Sequence, residues 1–145
     1  MIARIGRIAL LAGRWQDELF RRLGVNRGEV GVLTALMAAG TPARLSPSRL
    51  LKMLMLSSAG ITSRLDRLEQ RGLISRVADP DDRRGVLIEL TENGEQLAAR
   101  AVAAYADSQK DVLGSLDEQE LQTLERLLRK LQTALEGPGA VSLRP

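Results

Sequence analysis

The segment from Leu56 to Gly94 constrains the fold more than any other part of the chain, because a short amphipathic helix is followed at once by a β-hairpin pattern. The helix is predicted from Ser57 or Ser58 to Gln70 or Arg71, with Gly72 as its C-terminal stop. Its apolar residues recur at i, i+4 and i+7, the spacing of one buried helix face. These residues are Ile61, Leu65 and Leu68.

The hairpin pattern consists of two strand-like runs, Leu73 to Val77 and Val86 to Leu90. The second run alternates so that one face is wholly apolar, as expected of a half-buried strand. Between the runs, Asp79-Pro80-Asp81-Asp82 provides turn chemistry. Arg83 and Arg84 follow directly and would stand at the tip of the hairpin.

Helix start signals organise the rest of the chain. Asn26 with Glu29 forms a capping box, and Ser46-Pro47 offers a side-chain cap followed by proline at the first helical position. A helix, a turn of three to four residues and a second helix is the helix-turn-helix spacing. Besides the helix after Ser57, the predicted helices are residues 2–23, 27–39, 47–55, 91–113 and, opened by a capping box of Ser115 and Glu118, 116–136.

The composition excludes several classes of site. The chain of 145 residues has no His and no Cys, which removes the usual zinc ligands, the commonest general base and every thiol. No nucleophile–base constellation stands out, so we predict no enzyme, no metal and no cofactor. The N-terminal apolar run is too short for a signal peptide and no segment reaches transmembrane length, so we expect a cytoplasmic protein and no membrane partner.

Positively charged and hydroxyl side chains make the helix after Ser57 a candidate DNA reader. Arg pairs with guanine in the major groove, hydroxyls pair with several bases, and a helix N-terminus attracts phosphate. Taken alone, the same pattern also fits an ordinary solvated helix face. The net charge of +3 permits nucleic-acid binding without requiring it. The candidate DNA-binding residues are Ser57, Ser58, Gly60, Thr62, Ser63, Arg64, Arg67, Arg83 and Arg84.

The hairpin favours the DNA-binding interpretation, since arginines beside carboxylates at a loop tip suit a wing that enters a narrow minor groove. The run from Asp79 to Gly94 resembles the wing signature of the MarR (multiple antibiotic resistance regulator) family. It has an acidic residue, one residue, an Arg, a strand ending in Leu-Thr, and a Gly three residues later. The resemblance implies a winged helix-turn-helix, mainly α-helical with a small β-hairpin, covering residues 4–136.

The resemblance also implies roles for residues around the wing. Asp66 would pair with Arg84 and fix the wing against the recognition helix. Asp82 falls on the acidic position of the signature. Arg83 would then read the minor groove, although the roles of the two arginines could be exchanged.

Membership of this family further implies a homodimer formed by the terminal helices, bound to a palindromic operator on double-stranded DNA. A leucine repeat in steps of three and four residues supports a helix–helix seam independently, although the last helix could instead pack within its own chain. The predicted interface is Ile5, Ile8, Leu121, Leu124, Leu128, Leu131 and Leu135. The predicted division is a dimerisation helix at 1–24, the DNA-binding lobe at 25–91, dimerisation helices at 92–136 and a flexible tail at 137–145.

Relatives of this kind often release DNA when a small aromatic or anionic compound binds beside the DNA-binding lobe. The candidate effector cleft consists of Arg14, Trp15, Met37 and Tyr105, although Trp15 could instead be a core or interface anchor. The sequence therefore predicts a dimeric transcriptional regulator, most simply a repressor of a nearby operon. The alternative is a winged-helix module that binds protein rather than specific DNA.

Overall fold

The computed structural model describes residues 1–40 and 42–136 as a mainly helical protein with one small sheet. This agrees with the predicted fold class. The helices are α1 (Ile2–Arg21), α2 (Arg27–Ala38), α3 (Pro47–Met53), α4 (Ser58–Gln70), α5 (Glu92–Leu113) and α6 (Glu118–Glu136). The strands are β1 (Arg44–Leu45), β2 (Ile74–Ala78) and β3 (Val86–Leu90).

Side-chain caps fix the beginnings of α2, α3 and α4 as the sequence predicts. In α2, the Asn26 side chain accepts from the Glu29 amide at 2.8 Å and the Glu29 carboxylate accepts from the Asn26 amide at 3.0 Å. Ser46 caps α3, with Pro47 at the first helical position, and Ser57 caps α4. Each cap satisfies an amide that the helix leaves without a partner.

The start of α6 differs from the prediction. The capping box is formed by Asp117 and Glu120, whose side chains and amides pair at 2.9 Å in both directions, and not by Ser115 and Glu118. The chain makes one more turn first, in which the Leu116 amide donates to the Leu113 carbonyl. The helix therefore begins two residues later than the Ser115 box would place it.

The sheet has the order β1-β3-β2, and both pairings are antiparallel. The predicted hairpin is β2 and β3, in a register that places Arg76 opposite Ile88. Strand β1 is an addition that the sequence did not reveal, because its two residues gain a strand conformation only by pairing with Glu89 and Ile88.

A close approach between α5 and the hairpin explains the Thr and Gly of the wing signature. The Thr91 hydroxyl donates to the Gly72 carbonyl at 2.7 Å and accepts from the Gly94 amide at 3.1 Å. A Cβ on Gly94 would lie 1.9 Å from the Leu73 carbonyl oxygen. Only glycine fits at this contact, which fastens the first turn of α5 to the start of β2.

The chain divides into two compact units, Met1–Ala106 and Asp107–Pro145. The hydrophobic core lies in the first unit, where α2, α3, α4 and the sheet bury their apolar faces together. Its largest fully buried side chains are Leu33, Leu36, Leu50, Leu65, Leu68, Ile74, Ile88 and Val32. In the second unit, α6 has no buried residue. The tail predicted to be flexible, 137–145, lies outside the described residues.

None of the helices in the described part of the chain combines the length and apolarity needed to cross a membrane.

Candidate nucleic-acid interface

The outward face of α4 is rich in small hydroxyl side chains. Ser58, Thr62 and Ser63 are exposed, whereas the predicted apolar stripe of α4 is buried in the core. Ser57 is occupied as the helix cap, because its hydroxyl accepts from the Gly60 amide at 3.2 Å. The outward surface of α4 therefore carries these hydroxyl side chains alongside the exposed charged residues Asp66 and Arg67.

Arg64 does not project freely from this face. Its Nη1 donates to the Gly60 carbonyl at 3.3 Å, and its guanidinium packs against α2, where a Cβ on Gly28 would lie 2.3 Å from Nε. The absence of a side chain at Gly28 makes room for the arginine. Arg64 thus lies half-buried at the edge of the predicted reading face.

Arg67 and Arg71 are held by a buried carboxylate that the sequence identified only as a helix cap. Glu29 is 4% exposed and receives Arg67 Nε at 3.3 Å and Arg71 Nη1 at 3.4 Å. Arg67 also donates Nη1 to the Ser63 hydroxyl at 2.7 Å. The spacing along the chain, 38 and 42 residues, gave no signal for these contacts.

The tip of the wing carries two exposed arginines, Arg83 and Arg84, and neither side chain forms an ion pair with any residue that the structure describes. The neighbouring carboxylates shape the turn instead. Asp79 accepts from the Asp81 amide and Asp82 accepts from the Arg84 amide, each at 2.9 Å. The turn therefore leaves both guanidinium groups free to meet an anionic partner.

The contact that joins the wing to α4 differs from the predicted Asp66–Arg84 pair. Asp66 accepts from Arg76 Nη2 at 2.6 Å, and Glu69 pairs with the same guanidinium. The hydrogen bond to Asp66 raises the pKa of Arg76 above its ordinary value. Arg76 makes this brace because it lies on β2, the strand that packs next to α4, whereas Arg84 stands at the far end of the hairpin.

The four residues of the predicted effector cleft do not share one cavity. The Trp15 and Tyr105 rings lie 5.5 Å apart, and Gln16 donates to the Tyr105 hydroxyl at 3.2 Å. Arg14 is exposed on α1, and Met37 lines a separate depression near β3. A cavity of about 260 Å³ does adjoin Tyr105. Its other lining residues are Gln16, Phe20, Arg27, Val30, Gly31, Thr34, Ala101 and Val102.

Apolar side chains remain exposed on both terminal helices. On α6, Leu124, Leu128, Leu131 and Leu135 are 38% to 67% exposed, and on α1, Ile8 is 59% exposed. The remaining members of the predicted interface, Ile5 and Leu121, are half-buried within the chain itself. No cluster of three or more potential metal ligands occurs within residues 1–40 and 42–136.

Comparison with known proteins connects this arrangement to one family. A family model described as MarR family matches residues 23–85. The transcriptional regulator PecS of Dickeya dadantii is 35% identical over 135 residues, which cover 93% of this chain and 81% of PecS.

Two solved structures extend the comparison to complete folds. A mutant MarR from E. coli complexed with operator DNA superimposes with a TM-score of 0.76 at 29% identity, covering 90% of this chain and 94% of that one. Bordetella bronchiseptica BpsR, whose DNA binding is regulated by 6-hydroxynicotinic acid, gives a TM-score of 0.72 at 26% identity, covering 89% and 98%.

The wing signature, the capped helix-turn-helix and the length of the PecS match lead to the same conclusion: this chain belongs to the MarR family and is a DNA-binding transcriptional regulator, not an enzyme.

Proposed function

We propose that the protein is a dimeric repressor that reads a palindromic operator with α4 and the wing and releases it when a small molecule binds. The observation that carries the DNA-reading part is that the two unpaired arginines of the wing tip and the outward polar face of α4 belong to one compact unit, in which Arg76 joins β2 of the wing to α4.

On this proposal α4 enters the major groove. Ser58, Thr62 and Ser63 contact base edges, where a hydroxyl can donate or accept. Arg67 reaches the same surface through its contact with Ser63. The wing places Arg83 in the neighbouring minor groove, where the negative potential is strongest, and Arg84 contacts the phosphates that border this groove.

The dimer is supported by the exposed leucines of α6 and the exposed apolar residues of α1. None of the residues of α6 is fully buried, and an exposed apolar stripe on a helix is stabilised when a partner covers it. A two-fold dimer would place two copies of α4 about one helical turn of DNA apart, roughly 10 bp, and a palindromic site follows from that symmetry. Such a complex would cover a promoter in the cytoplasm.

The effector is proposed to occupy the cavity beside Tyr105 rather than the cleft predicted from the sequence. The cavity is small, largely apolar and bordered by the polar groups of Gln16, Arg27 and Thr34, which is the pattern of a small-molecule site. Arg27 suits an anionic group, and Phe20 and Tyr105 suit an aromatic ring. The regulation of BpsR by 6-hydroxynicotinic acid, an aromatic compound that carries a carboxylic acid, supports this class of ligand.

A binding selection tests the central proposal. Random-sequence duplexes are carried through rounds of capture by the wild-type protein, and the winning sequence is compared with a scrambled duplex by fluorescence anisotropy at several salt concentrations. We expect the selected sequence to be palindromic and to be bound at least a thousandfold more tightly than the scrambled duplex. Selection of no sequence, combined with a shallow salt dependence, would favour the protein-binding alternative.

A further inference from the structure

Among the residues that the structure describes, Glu29 is the one charged side chain that is buried. The only role that the sequence assigns to it is the cap of α2. A cap requires only a hydrogen-bond acceptor, which a neutral amide also supplies. Burying a carboxylate costs free energy unless charged partners surround it. The partners here are Arg67 and Arg71, both from α4 and its C-terminal cap.

The capping box also fixes the direction of the carboxylate. Glu29 Oε2 accepts from the Asn26 amide at 3.0 Å, so the side chain is anchored to the backbone of α2. Oε1 is then directed at Arg67 Nε. The first turn of α2 thus provides a rigid anionic support for the arginines of α4.

Arg67 is in turn held at two points. Nε donates to Glu29, and Nη1 donates to the Ser63 hydroxyl on the outward face at 2.7 Å. An arginine side chain has many rotamers in solution, and ordering it on DNA costs free energy. Here the protein orders Arg67, and with it Ser63, before DNA arrives.

We propose that Glu29 is a positioning residue that sets how well the protein distinguishes its operator from other DNA. It does so by orienting Arg67 and Ser63 for base contacts and by keeping Arg67 and Arg71 from pairing freely with phosphates. Phosphate pairing adds affinity for every sequence, whereas oriented base contacts add affinity only for the right one. This inference rests on the proposed entry of α4 into the major groove.

The variant Glu29→Gln tests it, since the amide can still accept from the Asn26 amide but carries no charge. With the selected duplex and its scrambled counterpart, we expect the ratio of the two affinities to fall about tenfold, the size of one lost base contact. The salt slope on scrambled DNA should steepen by about one for each arginine released onto a phosphate. Glu18→Gln is the control, because it changes the net charge equally at an exposed carboxylate of α1 that pairs with Arg21 and Arg22.

Arg67→Lys keeps the test decisive if Glu29→Gln does not fold. Lysine retains the charge but cannot span Glu29 and Ser63 with a planar fork, so the affinity ratio should fall similarly while the salt slope stays near the wild-type value. In the Arg67→Lys background, Glu29→Gln should lower the ratio little further, because Glu29 acts through Arg67.

The inference is overturned if Arg67→Lys retains the wild-type affinity ratio. It is also overturned if Glu29→Gln folds, retains that ratio and differs from the wild type only in a lower melting temperature. Either result would leave Glu29 as a structural cap. Those outcomes leave the proposed function intact, because the wild-type protein still selects its operator. Failure of the wild-type protein to select any sequence overturns both.

Discussion

The pair of Asp66 and Arg76 permits a direct comparison between the wing brace seen in the structure and the Asp66–Arg84 brace implied by the family resemblance. The perturbations are Asp66→Asn, Arg76→Gln and their combination. A second set consists of Asp66→Asn, Arg84→Gln and their combination. Each set forms a double-mutant cycle, which isolates the interaction between the two side chains from their separate effects on stability.

The expected magnitude follows from exposure. The Arg76 side chain is 31% exposed and that of Asp66 is 51% exposed, so solvent screens the pair and the full Coulomb energy does not apply. Exposed pairs contribute about 0.2–1 kcal/mol each, and the short 2.6 Å contact places this one toward the upper part of that range. We expect a coupling of about 0.5–1 kcal/mol for Asp66 with Arg76, and about zero for Asp66 with Arg84.

Urea unfolding at fixed protein concentration, followed by circular dichroism, measures the coupling. The concentration must be fixed because assembly would add to the apparent stability. In 1 M salt the Asp66–Arg76 coupling should shrink, since the Debye length falls to about 3 Å. A larger coupling for Asp66 with Arg84 than with Arg76 would refute the brace described here and restore the one implied by the resemblance.

Three further substitutions test the wing, the interface and the packing of α5. Arg83→Ala should weaken operator binding by about 1–3 kcal/mol in the anisotropy assay, and unchanged affinity would remove Arg83 from the groove. In sedimentation velocity, Leu128→Asp should yield monomers or unfolded chain. Gln122→Asp, which makes the same charge change on α6, should remain dimeric. A dimeric Leu128→Asp variant would contradict the proposed interface. Gly94→Ala should lower the free energy of unfolding by about 1–3 kcal/mol or more, because the added Cβ meets a backbone carbonyl. Gly6→Ala, which has open space around it, should leave the stability unchanged or raise it. Equal melting temperatures for the two alanine variants would contradict that contact.

Local signals predicted the helix-turn-helix well because each of its helices is capped by a side chain at its own beginning. Ser46 with Pro47, Ser57, and Asn26 with Glu29 each satisfy backbone amides within three residues, so the short range of the interaction is visible in the sequence. The start of α6 shows the limit of the same signal. Two overlapping boxes, at Ser115 and Asp117, meet the spacing rule, and the extra turn after Leu113 decides between them.

Contacts between distant segments could not be predicted in this way. Strand β1 exists only through its pairing with β3, and Arg76 finds Asp66 only because β2 runs beside α4. The grouping of the candidate effector residues met the same limit, since Met37 and Tyr105 line separate depressions. Arg14 and Trp15 are neighbours in sequence, but only the folded structure shows that the Trp15 ring contacts Tyr105.

The arginines of α4 show why a count of positive charges overstates what a recognition helix offers to DNA. The sequence placed Arg64 and Arg67 on an exposed reading face, yet the first packs against Gly28 and the second is bound to Glu29. Neutral hydroxyls and the Glu29-bound Arg67 remain on the outward face of α4, whereas Arg83 and Arg84 on the wing form no ion pair with any described residue. Since hydroxyls add little affinity without correct geometry and free arginines add affinity for any phosphate, discrimination should reside in α4 and salt-dependent affinity in the wing. Substitutions in the two places should therefore change different quantities, the affinity ratio for α4 and the salt slope for the wing.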